Sequence, residues 1–226
     1  LIWLTSTALK SQAQMWRYPP EWIPQPIEWE NFRQIFVLAP FHLFIRNTVN
    51  LVFWNILGQL FATTLVAYGF ARLRFRGRNL LFMVMIATMM VPYQVTLIPT
   101  FILFKLVGWM DTYYPLIVPA FTGSPFFIFL MRQYLMTIPY ELDEAARMDG
   151  CGFFQVLFRI LLPLCVPPLT IVVVYTFMGT WNDFMGPLIY LRSMEDSTLA
   201  LGLYFFRGVY NPMWNALMAA SVLITI

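Results

Sequence analysis

Charge is what this sequence has least of. Charged residues fill 11% of its 226 positions, against about a quarter in ordinary soluble domains. With 60% of residues hydrophobic, too few ionic side chains remain to coat a water-soluble globule, and a mean hydropathy of +0.68 makes lipid the natural solvent. Histidine is almost missing: His42 is the single one, without the Cys or carboxylate company that metal or proton-transfer chemistry needs. The two cysteines, Cys151 and Cys165, are spaced neither as a CxxC pair nor as a zinc site and read as plain small residues. No GxxxxGK[ST] phosphate loop occurs. The net charge is +3, yet no Lys/Arg stripe alternates with stacking aromatics, which excludes a nucleic-acid surface.

Long apolar runs are what the chain has in abundance. Four full spans are expected at residues 48–70, 80–104, 114–134 and 161–181. Each is long enough for a hydrocarbon core of about 30 Å. The second is broken by Pro92 and Pro99, the third contains Pro119, Gly123 and Pro125, and the fourth carries Pro163, Pro167 and Pro168 in its first half. Neighbouring helices and waters satisfy the carbonyls that such prolines free. The chain opens inside an apolar stretch, 1–9, and stops inside another, 215–226. These read as remnants of two further spans, six in all, of a single membrane domain over 1–226 that is truncated at both ends; the opening stretch does not read as a signal peptide.

The basic residues orient the spans. Arg72, Arg74, Arg76 and Arg78 crowd the loop after the first full span, a cytoplasmic mark under the positive-inside rule. They are read as a topology anchor without a ligand. Alternation then puts 10–46, 105–113 and 182–214 outside and 135–160 inside. In the outer segment, Trp16, Tyr18, Trp22 and Trp29 interleave with Pro19, Pro20, Pro24 and Pro26. That mixture favours headgroup anchoring on an extended path, followed by a short interfacial helix over 31–37.

The inner loop 135–160 has its own helix signals. Pro139 suits a first turn. Glu141, Asp143 and Glu144 suit the positive end of a helix dipole. Asp143 and Arg147 form an i,i+4 acid–base pair, and Gly150 is placed to end the helix in a left-handed conformation. Leu142, Ala145, Ala146 and Met148 offer small or apolar contact surface, and a second amphipathic stretch, 153–160, follows. A plain solvated connector has no need of Ala145-Ala146 flanked by acids and a glycine stop; a docking knob does.

Residues Glu144-Ala145-Ala146, Gly150, Ile160 and Leu162-Pro163 fit the pattern EAA-x3-G-x9-I-x-LP, and Asp149 fits its commoner form. The chain thus resembles the permease subunits of binding-protein-dependent (type I) ABC importers, with Cys151 where that family usually has Ala. Trp181-Asn182-Asp183-Phe184, Gly186-Pro187-Leu188, residues 92–99 and Gly108-Trp109-Met110-Asp111-Thr112 resemble the MalG-like carbohydrate group.

The resemblance implies an all-α, six-span fold with a cytoplasmic pair of short helices, in a bacterial inner membrane. The implied partners are a second, MalF-like permease subunit, an ABC ATPase dimer and an extracytoplasmic solute-binding protein. The implied cargo is a sugar or oligosaccharide. The chain itself would be no enzyme and would bind no cofactor, since ATP and Mg belong to the ATPase. Glu144 would salt-bridge to the ATPase, Ala145 and Ala146 would permit close packing, Gly150 would make the turn, and Asp149, Ile160 and Pro163 complete the coupling set.

A weaker set is assigned to the substrate path: Gln94 and Thr96 in the broken second span, Tyr175 and Trp181 as aromatic faces, and Asn182 and Asp183 as polar groups beyond a span. A helix cap and turn is the plainer task for the last two. The alternatives are a permease for another solute such as glycerol phosphate, an ion-coupled secondary transporter, which would need an acid, Lys or His inside a span, and a lipid-linked transferase, which would need clustered Asp, His or Arg at one membrane face.

Overall fold

The computed structural model describes residues 1–206 and 213–225. Every regular element among them is helical. The order is α1 (Ile2–Ala8), a 3-10 turn (Gln14–Trp16), α2 (Glu30–Leu38), α3 (Phe41–Arg72), α4 (Arg78–Met90), α5 (Tyr93–Leu106), α6 (Tyr114–Ile117) with a 3-10 turn (Val118–Thr122), and α7 (Pro125–Thr137). There follow α8 (Glu141–Met148), α9 (Phe153–Leu164), α10 (Val166–Trp181), α11 (Met185–Tyr190), α12 (Leu199–Phe205) and α13 (Trp214–Thr225). They form two compact units, one of Leu51–Thr180 and one of Leu1–Asn50 with Trp181–Ile226.

Of the four expected spans, two are helical segments long and apolar enough to cross a membrane, and the other two are bent helix pairs. α3 runs for 32 residues, about 48 Å at 1.5 Å per residue. That exceeds a hydrocarbon core, so its ends reach the polar layers. The second span is two helices, α4 and α5, bent by 100°. The bend falls at Val91–Pro92, whereas Pro99 lies inside α5 without ending it. The expectation that both prolines break the span is corrected: Pro92 stands at the N-cap of α5, where no intrahelical donor is needed, and only there does the chain turn.

The third span, Tyr114–Thr137, is pinched at Gly123, whose φ of +79° suits glycine. The break frees the Ser124 N–H, which donates to Gln59 Oε1 of α3 at 3.0 Å. Close approach makes this fit possible, for a β-carbon on Gly58 would lie 2.7 Å from the Phe121 ring. The fourth span is α9 and α10, bent by 80° at Cys165. A π-helical stretch, Val156–Leu161, precedes the bend, and Pro167 and Pro168 fall in the first turn of α10, which has no helix acceptor for their missing N–H groups.

One charged side chain does lie within the segments read as spans. Arg132, near the end of α7, lays its guanidinium 4.1 Å from the Phe82 ring centroid and donates from Nε to the Phe70 carbonyl at 3.3 Å. The ring and the carbonyl receive a cation that lipid would not.

The other unit is closed by small residues. Ala216, Ala219, Ala220 and Val222 of α13 pack with Ala8, Ile35, Phe41 and Phe44. Asn31 clips its pieces together: Nδ2 donates to the Ala8 and Lys10 carbonyls, each at 2.9 Å, and Oδ1 accepts from Asn215 Nδ2 at 2.8 Å. Lys10 is buried with Nζ 4.3 Å from the Trp3 ring centroid. Trp16, Tyr18, Trp22 and Trp29 are all exposed, as an interfacial belt requires. A helix does form over the expected 31–37, as α2.

Candidate functional site: the coupling helix

The segment 135–160 folds as a short helix, a glycine turn and a second helix. α8 spans Glu141–Met148 with its three acids in the first turn and Arg147 in the last, matching the helix dipole. Pro139 lies just outside α8, because Tyr140 is the N-cap; the first-turn placement expected for it is corrected by one turn boundary. Gly150 has φ +83°. Its N–H donates to the Arg147 carbonyl at 3.0 Å, and the Cys151 N–H reaches the Ala146 carbonyl at 2.9 Å. This is a Schellman C-cap, whose apolar contact falls between positions 151 and 146. A small residue at 151 is what the contact needs, so Cys151 fills it as alanine does.

α8 has two unlike faces. Asp143 and Ala146 are buried within the chain, while Glu141, Leu142, Glu144, Ala145, Arg147, Met148 and Asp149 are exposed. Ala146 belongs to one core with Ala67 and Tyr68 of α3, Ile128, Met131 and Leu135 of α7, and Val156, Leu157 and Leu161 of α9. It is therefore not available for close packing against a partner, and that expectation is corrected: of the two alanines, Ala145 alone faces out. Ile160 is half-buried against this core, and Pro163 is exposed on α9.

The expected Asp143–Arg147 pair is also replaced. The Asp143 carboxylate lies 3.3 Å from Arg72 Nε, with both side chains almost wholly buried. Arg72 Nη2 further donates to the Ile138 carbonyl at 2.9 Å. Arg147 instead places its guanidinium near the Phe153 and Tyr140 rings, at 5.2 and 6.0 Å. Tyr68 donates its hydroxyl to the Phe153 carbonyl at 3.2 Å. Burial pushes the Asp143 carboxyl above the usual carboxylate range, and Arg72 and Arg147 draw it part of the way back.

From sequence Arg72 reads only as part of the topology anchor, and Tyr68 carries no reading; in the structure Arg72 is the partner of Asp143. The usable signal was topological: the arginine loop and the 135–160 loop fall on one side of the membrane, so the buried acid of one is within reach of the first arginine of the other. Beside this ion pair opens a cleft of about 900 Å³, lined by Arg72, Arg74, Tyr140, Glu144, Arg147 and Phe153 among others.

Gln94, Thr96 and Tyr175 belong to one compact unit, and Trp181, Asn182 and Asp183 to the other. Gln94, Thr96 and Tyr175 are exposed, with the Thr96 hydroxyl returned to the Tyr93 carbonyl at 2.9 Å. Asp183 accepts the Gly186 N–H at 3.0 Å in the turn into α11; this is the turn expected before Gly186-Pro187, made at the start of α11 and not as a C-terminal cap on α10. Among the described residues no cluster of His, Cys, Asp and Glu is arranged to hold a metal ion.

Comparison with known proteins fits this architecture. Residues 55–226 match the family described as binding-protein-dependent transport system inner membrane component. The chain is 35% identical over 201 residues to the arabinooligosaccharides transport system permease protein AraQ of Bacillus subtilis (strain 168), covering 88% of this chain and 71% of that protein. It is 32% identical over 218 residues to the sn-glycerol-3-phosphate transport system permease protein UgpE of Yersinia enterocolitica, covering 93% of this chain and 77% of that one. A crystal structure of a bacterial ABC transporter involved in the import of the acidic polysaccharide alginate superposes on 98% of this chain and 83% of its own, with a TM-score of 0.88 at 24% identity. The fold is thus that of a type I ABC importer permease, and the chain belongs to the family of inner-membrane components of binding-protein-dependent transport systems, a transport subunit and not an enzyme.

Proposed function

We propose that this chain forms half of the translocation path for a sugar or oligosaccharide and takes its driving force through the exposed face of α8. The observation that carries this reading is the two-faced helix itself. Its inner face is welded to the bundle by Asp143 and Ala146, while Glu144, Ala145 and Met148 are exposed on the outward side. A separate ATPase that closes on ATP would grip that outer face, with Glu144 offering a carboxylate to a basic partner residue and Asp149–Gly150 supplying the turn. The chain's own residues then move as a rigid body between inward- and outward-facing states. ATP and Mg stay with the ATPase. A second permease subunit completes the path, a solute-binding protein delivers cargo from outside, and 135–160 lies in the cytoplasm.

The sugar assignment draws on AraQ and on a permease for sulfoquinovosyl glycerol, 28% identical over 222 residues. The similarity to UgpE supports a second cargo class, a polyol phosphate. Thermal shift of the cognate solute-binding protein decides between them: oligosaccharides should raise its midpoint and glycerol phosphate should not. For the coupling role, Glu144→Lys should still insert but lose ATPase association or transport. Normal assembly and uptake in that variant would remove the role of this face.

A further inference from the structure

We propose that the buried Asp143–Arg72 pair is the joint through which motion of the coupling helix enters the membrane bundle, with both residues acting as positioning residues for transport. The inference rests on the ATPase-coupled reading above and names the internal route that reading leaves open.

The peptide connections of α8 make poor levers. On one side lies non-helical Ile138–Tyr140, where Pro139 fixes its own φ but no helical hydrogen bonds carry a push onward, and on the other a turn containing Gly150 and Gly152, glycines soft at φ and ψ. A push on Glu144 therefore reaches the spans mainly through side chains. Arg72 is placed for this, since its guanidinium meets three elements at once. It belongs to the last turn of α3, holds Asp143 of α8 at 3.3 Å and donates to Ile138, the residue that ends α7, at 2.9 Å. The Tyr140 ring lies 5.6 Å from its Cζ. Asp143 is one residue from Glu144, so any displacement of the outer face is felt at the pair.

Folding stability does not account for this pair. Arg72 Nε and both Asp143 carboxylate oxygens are buried without a hydrogen-bond partner, so the 3.3 Å contact is ionic but poorly aligned. The desolvation of such a pair often outweighs its attraction, and an apolar pair of similar volume commonly serves a fold equally well. An ion pair held by charge rather than by directed hydrogen bonds keeps two elements at fixed separation while tolerating a change of angle between them. That is the behaviour of a hinge pin between α8 and α3.

The test uses the full importer, chain plus partner subunits, in proteoliposomes, and reads cargo moved per ATP hydrolysed. The apolar double variant Arg72→Met/Asp143→Leu keeps volume and removes charge. It should insert, retain the ATPase and melt no lower than the parent, yet move less cargo per ATP by about tenfold or more, within the range of coupling typical of linked sites. The conservative double variant Arg72→Lys/Asp143→Glu keeps the charges and should recover most of that loss. Parent-like coupling in the apolar variant would overturn the proposal. So would equal loss in the apolar and conservative variants, because packing alone would then account for both. Failure of the underlying reading looks different: the parent chain itself would not bind the ATPase, or Glu144→Lys would transport normally.

Discussion

At Gly150 a β-carbon is disfavoured by the backbone, since φ is +83°, even though open space surrounds the site. A left-handed conformation costs an ordinary L-residue about 1–2 kcal/mol, and asparagine less. Gly150→Val should therefore weaken the C-cap and lower the midpoint of thermal unfolding in detergent, while Gly150→Asn stays nearer the parent. Equal losses in both variants would mean that something other than backbone conformation limits the site. Asp143 makes a pH prediction. Its raised carboxyl binds a proton more readily in the folded chain than in the unfolded one, where it titrates near about 3.9. Stability therefore falls as pH rises from that ordinary value through the folded one, and is flat above it. Asp143→Asn should remove that contribution from the pH dependence of the melting midpoint. Arg72→Gln, by removing the stronger of the two arginine influences, should extend the window to higher pH.

The spans were legible where length and apolarity decide them, and less so where they bend. Pro92 marks a true break; Pro167 and Pro168 are absorbed because they fall in the first turn of α10, which needs no donor from them, whereas Pro99 lies inside α5 without ending it, as helices in a membrane bundle tolerate. Gly150 was legible because the requirement for positive φ is local. The Asp143 partner was not, since Arg147 offered an equally good local pairing and Arg72 is distant in sequence. Which of two adjacent alanines faces inward is equally hidden in an eight-residue helix whose inner face holds a charged residue, Asp143, and whose outer face holds apolar ones, Leu142 and Met148.

The break in the third span supplies its own test at this scale. Gln59 accepts the Ser124 N–H that the break at Gly123 releases. Gln59→Leu leaves that donor without its partner at membrane depth, at about 1–3 kcal/mol, and should lower the melting midpoint. Gly58→Ala, 2.7 Å from the Phe121 ring, should do so through overpacking by about 1–3 kcal/mol. Parent-like melting in both would show that the third span does not rest on α3 at this point.

Sidedness is a property of the whole chain. The arginine loop and the 135–160 loop meet directly through Arg72 and Asp143, so they share one side of the membrane. Asn47 likewise binds the carbonyls of Glu195 and Ser197 at 2.7 and 3.1 Å, which puts the start of α3 with residues 195–197. In a background with Cys151 and Cys165 replaced, Met148→Cys should react with an impermeant thiol reagent only in inside-out vesicles, and Tyr18→Cys only in intact cells. Both native residues are largely exposed in this chain, at 88% and 95%, so in membranes stripped of the ATPase access is not limited by packing. Reaction of Met148→Cys from outside intact cells would invert the topology.

The split character of α8 separates two vocabularies that most helices must mix. Residues that speak to the bundle, Asp143 and Ala146, share no position with those that address a visitor, Glu144, Ala145 and Met148. A change of engine therefore requires rewriting a few outward letters while the inward spelling stays intact, and a chimera carrying a relative's outward triplet should accept that relative's motor without any redesign of the pore.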